Sequence, residues 1–289
     1  MILITGASGN VGKAVLQEVA KSRAKHRAMY RSAAEAAKAP PGTETVIADF
    51  AKKDTLTTAL RNVDRVYLVC SPIPQLVELE SNMLDACVAA GVNHVVLNSA
   101  MGAGDYEKSF PSWHRKVEDK LKSARLSYTI LRPNSFHQNV VAFFAPSIRT
   151  QGVFYSSMDA ARVSFLDVRD IAVVAAKVLA GGEHAGKTYE LNGPEAPSYA
   201  EVAEKISKQV GRAVQYVDIP MEAQRKAMLG QGMPEWQVTA LLQLQEYYTG
   251  GKGGSVDDLL QQLLGRTPIR MDQFLAEFAD EFREQAANA

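Results

Sequence analysis

Two short stretches of this sequence combine residue types at spacings that could do chemistry. In "MILITGASGNVGKAV", Gly6, Gly9 and Gly12 separate an apolar run from a helical pattern. Glycines at these steps allow a sharp turn, a bare backbone that a pyrophosphate can approach, and close packing of strand on helix. The helix would then direct its first N–H groups and its positive dipole end at the phosphates. We expect a dinucleotide-binding loop made of Gly6, Ala7, Ser8, Gly9, Asn10, Val11 and Gly12. A tight packing turn is the alternative.

The second stretch is "FPSWHRKVEDKL", in which apolar residues recur at helical spacing. Beside the apolar stripe, Phe110, His114 and Glu118 form a file in which each residue lies one turn after the last. His114 could hydrogen-bond a ribose or a substrate, with Glu118 one turn on to orient it. Alternatively, His114 and Glu118 have only a structural role, at the border of the packed face of the helix.

The end of the second apolar run predicts which dinucleotide binds. A site for NAD(H) expects Asp or Glu about 20 residues beyond the glycines, where it binds the ribose hydroxyls. In "AMYRSAAEAAK" this place is taken by Arg31, and no acid follows until Glu35. A guanidinium suits the 2′-phosphate, because its fork of donors matches phosphate oxygens. We therefore expect NADP(H) to be preferred over NAD(H), unless Arg31 is only a solvated loop charge.

These motifs require a scaffold, and short β-branched runs do alternate with helical patterns along the first half of the chain. The predicted strands are Met1–Thr5, Arg27–Arg31, Thr45–Ala48, Arg65–Cys70, His94–Asn98 and Tyr128–Arg132. The predicted helices are Val11–Ser22, Leu56–Arg61, Leu76–Ala90 and the helix that contains His114. This alternation predicts an α/β fold with a Rossmann-type, doubly wound parallel sheet. Ligands bind beyond the carboxyl ends of such strands.

After Pro133 the pattern loosens. Two late strands of the same sheet are predicted at Ser164–Leu166 and Thr188–Leu191. A helix is predicted between them at Val168–Leu179. From Pro194 onward helices dominate. We therefore expect a dinucleotide-binding domain over residues 1–193 and a smaller, mostly helical capping domain over residues 194–289. The glycine-rich run "TGGKGGS" follows a helix rather than a strand, so it predicts a flexible connector and not a second phosphate loop.

Composition narrows the classes of protein. Lys plus Arg and Asp plus Glu balance at 32 each, which gives no sign of a nucleic-acid or membrane partner. Cys70 and Cys87 match no disulfide or metal spacing, and the scattered histidines do not either, so we expect a cytoplasmic, reduced protein without a metal site. Met1 already belongs to a predicted strand, which leaves no room for a signal peptide. The most apolar run, Val140–Ala145, is too short to cross a bilayer.

The motifs together resemble a known family. "TGASGNVG" is similar to the phosphate loop of extended and atypical short-chain dehydrogenases/reductases. In combination with "AMYRS", "ADF", "HRKVEDKL", "YTILRPNSFHQN" and "FLDVRDIA", it resembles the NmrA-like branch along essentially the whole chain. That branch includes NADP-binding regulators, quinone reductases, and reductases of azo and triphenylmethane dyes.

The resemblance implies further cofactor contacts in the loops that follow the strands. Asp49 and Phe50 would flank the adenine, and Ser71 with Pro72 would pass beneath the cofactor. The residues expected around the nicotinamide are Ser99, Ala100, Met101, Pro133 and Asn134. Each has a plainer alternative, as a turn residue, a strand stop or a helix cap.

The resemblance also exposes a departure. Short-chain reductases usually carry Tyr-x-x-x-Lys at the start of this helix, with a Glu four residues after the Lys. Counted back from Glu118, the Lys position is His114 and the Tyr position is Phe110. The phenolic acid is therefore absent. The candidate catalytic residues that remain are His114, Asn134 and His137.

We accordingly expect an NADPH-dependent reductase that transfers a hydride to a quinone, an azo compound or a dye, that is, to an aromatic or quinoid small molecule. The alternative is a non-catalytic NADP(H)-binding redox sensor of the NmrA type, which would report to a protein partner. A third interpretation, an isoflavone-reductase-like enzyme with a catalytic Lys, has Lys116 as its nearest candidate. A homodimer is compatible with each of them.

Overall fold

The computed structural model describes residues 1–284 of a chain that folds into two compact units. The first unit contains Met1–Pro133 and Val168–Leu191. The second contains Asn134–Asp167 and the chain from Asn192 onward. The polypeptide therefore passes between the units three times. This division differs from the expected boundary at residue 193, because residues 134–167 belong to the second unit.

Nine strands and twelve α-helices are described in this part of the chain. The strands are β1 (Ile2–Ile4), β2 (His26–Tyr30), β3 (Glu44–Ile47), β4 (Arg65–Leu68), β5 (His94–Asn98), β6 (Ser127–Pro133), β7 (Val153–Ser156), β8 (Lys187–Leu191) and β9 (Gln215–Asp218). The helices are α1 (Asn10–Ala20), α2 (Ala33–Ala36), α3 (Lys53–Ala59), α4 (Leu76–Ala90), α5 (Ser109–Ser123), α6 (His137–Gln151), α7 (Val168–Ala180), α8 (Tyr199–Val210), α9 (Met221–Gly230), α10 (Glu235–Tyr247), α11 (Leu259–Leu264) and α12 (Met271–Glu277).

The first unit is built on a seven-stranded sheet in the order β3-β2-β1-β4-β5-β6-β8, with every pair parallel. Strand order reverses between β1 and β4, and this reversal is where a doubly wound sheet binds its ligand. Helices α1 and α7 pack against each other, while α3, α4 and α5 form a second packed set. The expected Rossmann-type α/β fold is confirmed.

The core of the first unit lies between the sheet and the second helix set. Leu3, Val66, Leu68, Val95 and Leu97 alternate along β1, β4 and β5 and are buried in one cluster. The apolar stripes of α3, α4 and α5 complete it with Leu56, Ala59, Leu76, Met83, Leu84, Cys87, Val117 and Leu121. Strands covered on both faces are apolar throughout, which is why β1 and β5 stand out in the sequence. The core thereby holds the carboxyl ends of the strands in register.

The second unit contains a separate two-stranded parallel sheet, β7-β9, in which Val153 pairs with Gln215. Aromatic rings pack around it: Phe144 stacks on Phe154 at 4.4 Å between centroids, and Tyr199 and Tyr216 complete the cluster. The two paired strands lie far apart in sequence. The strand β7 and the helix α6 before it were not predicted.

Two expectations for this region are wrong. Ser164–Leu166 is not a strand of the main sheet; it forms only an isolated bridge between Leu166 and Phe136. The run "TGGKGGS" is not a loose connector either: Tyr248–Lys252 continue the end of α10 as a turn that is kinked at Gly251, where φ is +81°. The carbonyl of Gly253 accepts hydrogen bonds from Ser164 N–H and Asn134 Nδ2. A Cβ on Gly253 would lie 2.2 Å from the Tyr248 ring, so glycine is required here for close packing and not for freedom.

In residues 1–284 no helix is both long and apolar enough to span a membrane. The same residues contain no group of three or more His, Cys, Asp or Glu side chains placed to hold a metal ion.

Candidate functional site

The glycine loop between β1 and α1 has the geometry that its sequence predicts. Gly6 adopts φ +57°, in the left-handed region that favours glycine, and its carbonyl accepts a hydrogen bond from Gly9 N–H at 2.9 Å. A Cβ on Gly12 would lie 2.2 Å from the Gly6 carbonyl oxygen. The first turn of α1 therefore packs directly on the loop, as a backbone cradle for phosphates requires.

The residues of this loop divide into two groups. Gly6, Ser8, Gly9 and Asn10 are exposed, whereas Ala7 and Val11 are buried and can offer a ligand only their backbone. Behind the loop, the Thr5 hydroxyl oxygen accepts a hydrogen bond from Val69 N–H at 2.9 Å, which joins the ends of β1 and β4. The first turn of α1 contains no acidic side chain that would repel a phosphate. These features fit a bound dinucleotide.

The residues that follow β2 and β3 differ: Arg31 is an exposed charge, whereas the Asp49 carboxylate forms part of a turn. Arg31 directly follows β2 and is exposed. The acid nearest to it in sequence, Glu35, lies in the first turn of α2, whose N-terminus is capped by Ser32. Asp49 follows β3, and its carboxylate accepts a hydrogen bond from Ala51 N–H at 3.0 Å, as in an Asx turn. Phe50 is buried.

The loops after β4 and β5 differ in exposure. Ser71 and Pro72 are exposed beyond the end of β4. Ser99 and Met101 are 2% and 8% exposed, and their N–H groups donate to the carbonyls of Leu131 and Pro133 at 2.8 and 2.9 Å. The segment that contains Ala100 is therefore tied at both sides to the end of β6.

A buried carboxylate lies beneath this segment. Glu118 is 0% exposed, and it accepts hydrogen bonds from the Ser99 hydroxyl at 2.6 Å and from Arg132 Nε and Nη2 at 2.8 and 2.7 Å. Lys122 donates to it as well, at 3.1 Å. Burial would raise the pKa of Glu118, but the hydrogen bonds from Arg132 and Ser99 outweigh burial, so the pKa lies below its usual range. Glu118 is thus an anion that links α5 to the ends of β5 and β6.

Sequence reasoning assigned Glu118 to His114 and missed this network. The Glu118 carboxylate accepts four hydrogen bonds, two from Arg132 and one each from Ser99 and Lys122, and these three residues come from three parts of the chain. The sequence signal that could have found it is Arg132, a cation at the end of an otherwise apolar run. Gly104 is the other missed residue, because a Cβ there would lie 2.7 Å from Arg132 Nη1.

His114 is buried in the same helix, with 6% of its surface exposed. Within the described chain its Nδ1 has no hydrogen-bond partner. Burial lowers the pKa of His114 to about 4, with Glu118 opposing the shift. His114 is therefore neutral at pH 7. Phe110 is half-buried and packs edge-on against Trp113 at 5.3 Å, whereas Lys116 is exposed.

The other two candidate catalytic residues lie in the second unit. Asn134 Nδ2 donates to Asn192 Oδ1 at 3.1 Å and to the Gly253 carbonyl at 3.0 Å, so both of its amide hydrogens are engaged. His137 is completely buried, and its ring lies 5.3 Å from that of Phe274. Both amide hydrogens of Asn134 are therefore unavailable to a substrate, and the His137 ring is closed off from solvent.

Comparison with known proteins gives a consistent result. The NmrA-like family model matches residues 1–275. The chain is 33% identical over 281 residues to the NAD(P)H azoreductase of Xenophilus azovorans, with 96% of each chain covered. It is 30% identical over 271 residues to quinone oxidoreductase 2 of Escherichia coli strain K12, covering 92% of this chain and 94% of that protein. A crystal structure of an NADPH-dependent quinone oxidoreductase from Escherichia coli in complex with NADPH superposes with a TM-score of 0.89 at 27% identity, covering 96% and 99% of the two chains.

The Glu118 network leads to a prediction about stability. Glu118→Ala leaves the largely enclosed Arg132 with only the more exposed Glu190 as an ionic partner, and breaking a buried ion pair costs about 3–5 kcal/mol of the free energy of unfolding. The matched control is Glu190→Gln, because Glu190 is the half-exposed partner of Arg132 at 3.2 Å and should contribute less than about 1 kcal/mol. Urea denaturation of both variants measures the difference. Equal losses in the two variants would show that the buried carboxylate has no special role.

A second prediction concerns the dependence of stability on pH. The pKa of His114 is about 4 in the folded chain and about 6.5 when unfolded, so between these values the unfolded chain binds the extra proton. Wild-type stability should therefore fall as pH drops through 6.5. Between pH 7.5 and 5.0, wild type should lose about 2 kcal/mol of the free energy of unfolding relative to His114→Gln. Parallel curves for the two proteins would contradict the neutral, buried state of His114.

Proposed function

Because this chain belongs to the NmrA-like family, we propose that it is an NADPH-preferring oxidoreductase that reduces quinones, azo compounds or cationic dyes without a Tyr-Lys catalytic pair. Its relatives at 30% identity or more include an NAD(P)H azoreductase and a quinone oxidoreductase. The observation that supports the acceptor class most directly is Phe110 with a buried, neutral His114, at the positions where short-chain reductases carry Tyr and Lys.

The side chains around the proposed nicotinamide site provide no acid near pH 7. Phe110 has no ionisable proton, and a neutral imidazole such as that of His114 is a very weak acid. The Ser99 hydroxyl proton is donated to Glu118 at 2.6 Å. A bound NADPH supplies the hydride. The favoured acceptors are then those whose product needs no strong acid: a quinone gives a weakly basic phenolate that takes its proton from water, and a cationic dye gives a neutral product.

The proposed binding of the dinucleotide uses the backbone of the glycine loop for the pyrophosphate and Arg31 for the 2′-phosphate. The exposed guanidinium follows β2 directly, where an acid would favour NADH instead. Asp49 and Phe50 at the adenine, Ser71 with Pro72, and Ser99 to Met101 with Pro133 at the nicotinamide complete the proposed contacts. Asn134 is proposed to support this site by fixing the backbone after β6.

The cofactor assignment predicts a change in selectivity. Arg31→Ala removes a charge-assisted hydrogen bond worth about 1.5–3 kcal/mol, so NADPH should bind roughly tenfold to a hundredfold more weakly while NADH is nearly unaffected. Isothermal titration of both dinucleotides measures the two dissociation constants. Arg23→Ala removes an exposed cation just before β2, at the amino end of the strand that Arg31 follows, and serves as the control. Wild type that binds NADPH and NADH equally well would rule the assignment out.

The acceptor class makes a separate prediction. NADPH oxidation should depend on an added quinone or dye, with negligible turnover of simple ketones, whose strongly basic alkoxide needs a matched acid. Phe110→Tyr should gain little ketone reduction, because residue 114 is not a Lys that could lower the pKa of the phenol. Steady-state assays over a panel of acceptors test both points. Ketone reduction as fast as quinone reduction would contradict the proposal, and tight 1:1 NADPH binding without oxidation by any acceptor would favour the redox sensor.

A further inference from the structure

Glu35 is an acid close to the proposed phosphate-binding Arg31, and it has no role in the proposed function so far. It lies in the first turn of α2, where its backbone N–H donates to Ser32 Oγ at 3.2 Å. The Ser32 hydroxyl in turn donates to Glu35 Oε2 at 3.4 Å. Because Ser32 directly follows Arg31, this hydrogen bond holds the carboxylate beside the end of β2.

The carboxylate of Glu35 lies close to both chain neighbours of Arg31. On one side it contacts the Ser32 hydroxyl, which caps the N-terminus of α2. On the other side is Tyr30, the last residue of β2, which is buried. Burial raises the pKa of Tyr30, and the charge on Glu35 raises it further. A negative charge is therefore fixed at the turn from which Arg31 projects.

Glu35 does not neutralise Arg31 directly. Among the described residues, no hydrogen bond or ion pair joins the Arg31 guanidinium to another side chain, and the residue is exposed. Glu35 is half-buried and is held by Ser32 instead. A cation that attracts a phosphate and an anion that repels it thus lie at the same turn without pairing. Each contributes separately to the potential that a phosphate meets there.

The size of the repulsion follows from the spacing. Consecutive Cα atoms are about 3.8 Å apart, so a phosphate bound at this turn lies on the order of 8 Å from the carboxylate. By Coulomb's law in a water-like dielectric, a dianion at that distance loses roughly fivefold in its binding constant. The Debye length falls from about 30 Å at 0.01 M salt to about 3 Å at 1 M. The repulsion should therefore be strong at low salt and absent at high salt.

We propose that Glu35 is a second specificity-determining residue: its carboxylate repels the 2′-phosphate of NADP(H) and limits the preference that Arg31 creates. The inference rests on the proposed assignment of Arg31 to the 2′-phosphate. NADH has a neutral hydroxyl in place of this phosphate, so its affinity should depend little on Glu35. The two residues therefore set the selectivity together, with opposite signs.

The test compares Glu35→Gln with wild type by fluorescence titration of NADPH and NADH. A Gln at the third position of a helix is as compatible with a Ser cap as a Glu, so the variant removes the charge and keeps the turn. At about 0.01 M salt it should bind NADPH about fivefold more tightly than wild type, and NADH within about twofold of wild type. At about 1 M salt the gain for NADPH should fall below about twofold. Glu35→Ala is a second neutral variant in case the Gln variant does not fold.

The control is Glu183→Gln. Glu183 is an exposed acid just before β8, at the amino end of the edge strand farthest from β2 and β3. Its removal changes the net charge equally and should leave both affinities within about twofold of wild type. A gain below about threefold in Glu35→Gln at low salt overturns the inference. A gain that persists at about 1 M salt, or one that Glu183→Gln shares, overturns it as well.

Arg31→Ala separates this inference from the proposed function. If this variant keeps the preference of wild type for NADPH, the cofactor assignment itself fails. If it abolishes the preference while Glu35→Gln binds both dinucleotides as wild type does, only the role of Glu35 is overturned.

Discussion

The candidate site depends on one buried anion. Removing the Glu118 carboxylate from water costs several kcal/mol, and this cost is offset only while Ser99, Arg132 and Lys122 all direct their donors at it. Ser99 follows β5, Arg132 lies on β6, and Lys122 lies one turn after Glu118 on α5. The ends of β5 and β6 and the second half of α5 therefore cannot shift independently. A rigid frame of this kind is what a site needs when its only chemistry is to position two reactants.

The same anion limits the chemistry that the proposed site can perform. Because the proton of Ser99 is directed at Glu118, the hydroxyl can only accept a hydrogen bond from any other group. His114 is too well buried to be charged at neutral pH, and Phe110 has nothing to donate. Of these three described side chains, Ser99, Phe110 and His114, none has a proton to offer a bound molecule near pH 7. The proposed acceptor class follows from what these three side chains lack as much as from what the glycine loop provides.

The sequence predicted well whatever depends on local pattern. The helix Leu76–Ala90 and the strand His94–Asn98 match the structure at both ends, because a core that covers both faces of the sheet imposes period and apolarity along the chain. The backbone geometry of the glycine loop was predictable for the same reason, since turn, glycines and helix are contiguous. Pairing between distant segments was not. Strands β7 and β9 meet only in the folded second unit, and α6 is broken up in the sequence by Pro146 and by polar residues.

The site was predicted unevenly for a related reason. Spacing along α5 showed that Glu118 lies one turn after His114, and this suggested a pair. The structure directs the carboxylate at Arg132 instead, because a guanidinium offers two parallel hydrogen bonds that a neutral imidazole cannot match. Asn134 was identified by its place after β6, yet its partners Asn192 and Gly253 come from late in the chain. Single-sequence reasoning therefore placed these residues in the loops after the strands but did not identify their hydrogen-bond partners.

The three passages of the chain between the units have a consequence for its synthesis on the ribosome. Strand β6 is complete once Pro133 has been made, but its outer neighbour β8 begins only at Lys187. Between these points the ribosome makes Asn134–Asp167, which belong to the other unit, and then α7. At about 5–20 residues per second, the apolar strand that contains Ile130 and Leu131 waits for seconds with one row of N–H and C=O groups unpaired. We therefore expect the nascent chain to be most prone to aggregation at this stage, when most of the first unit has already been made.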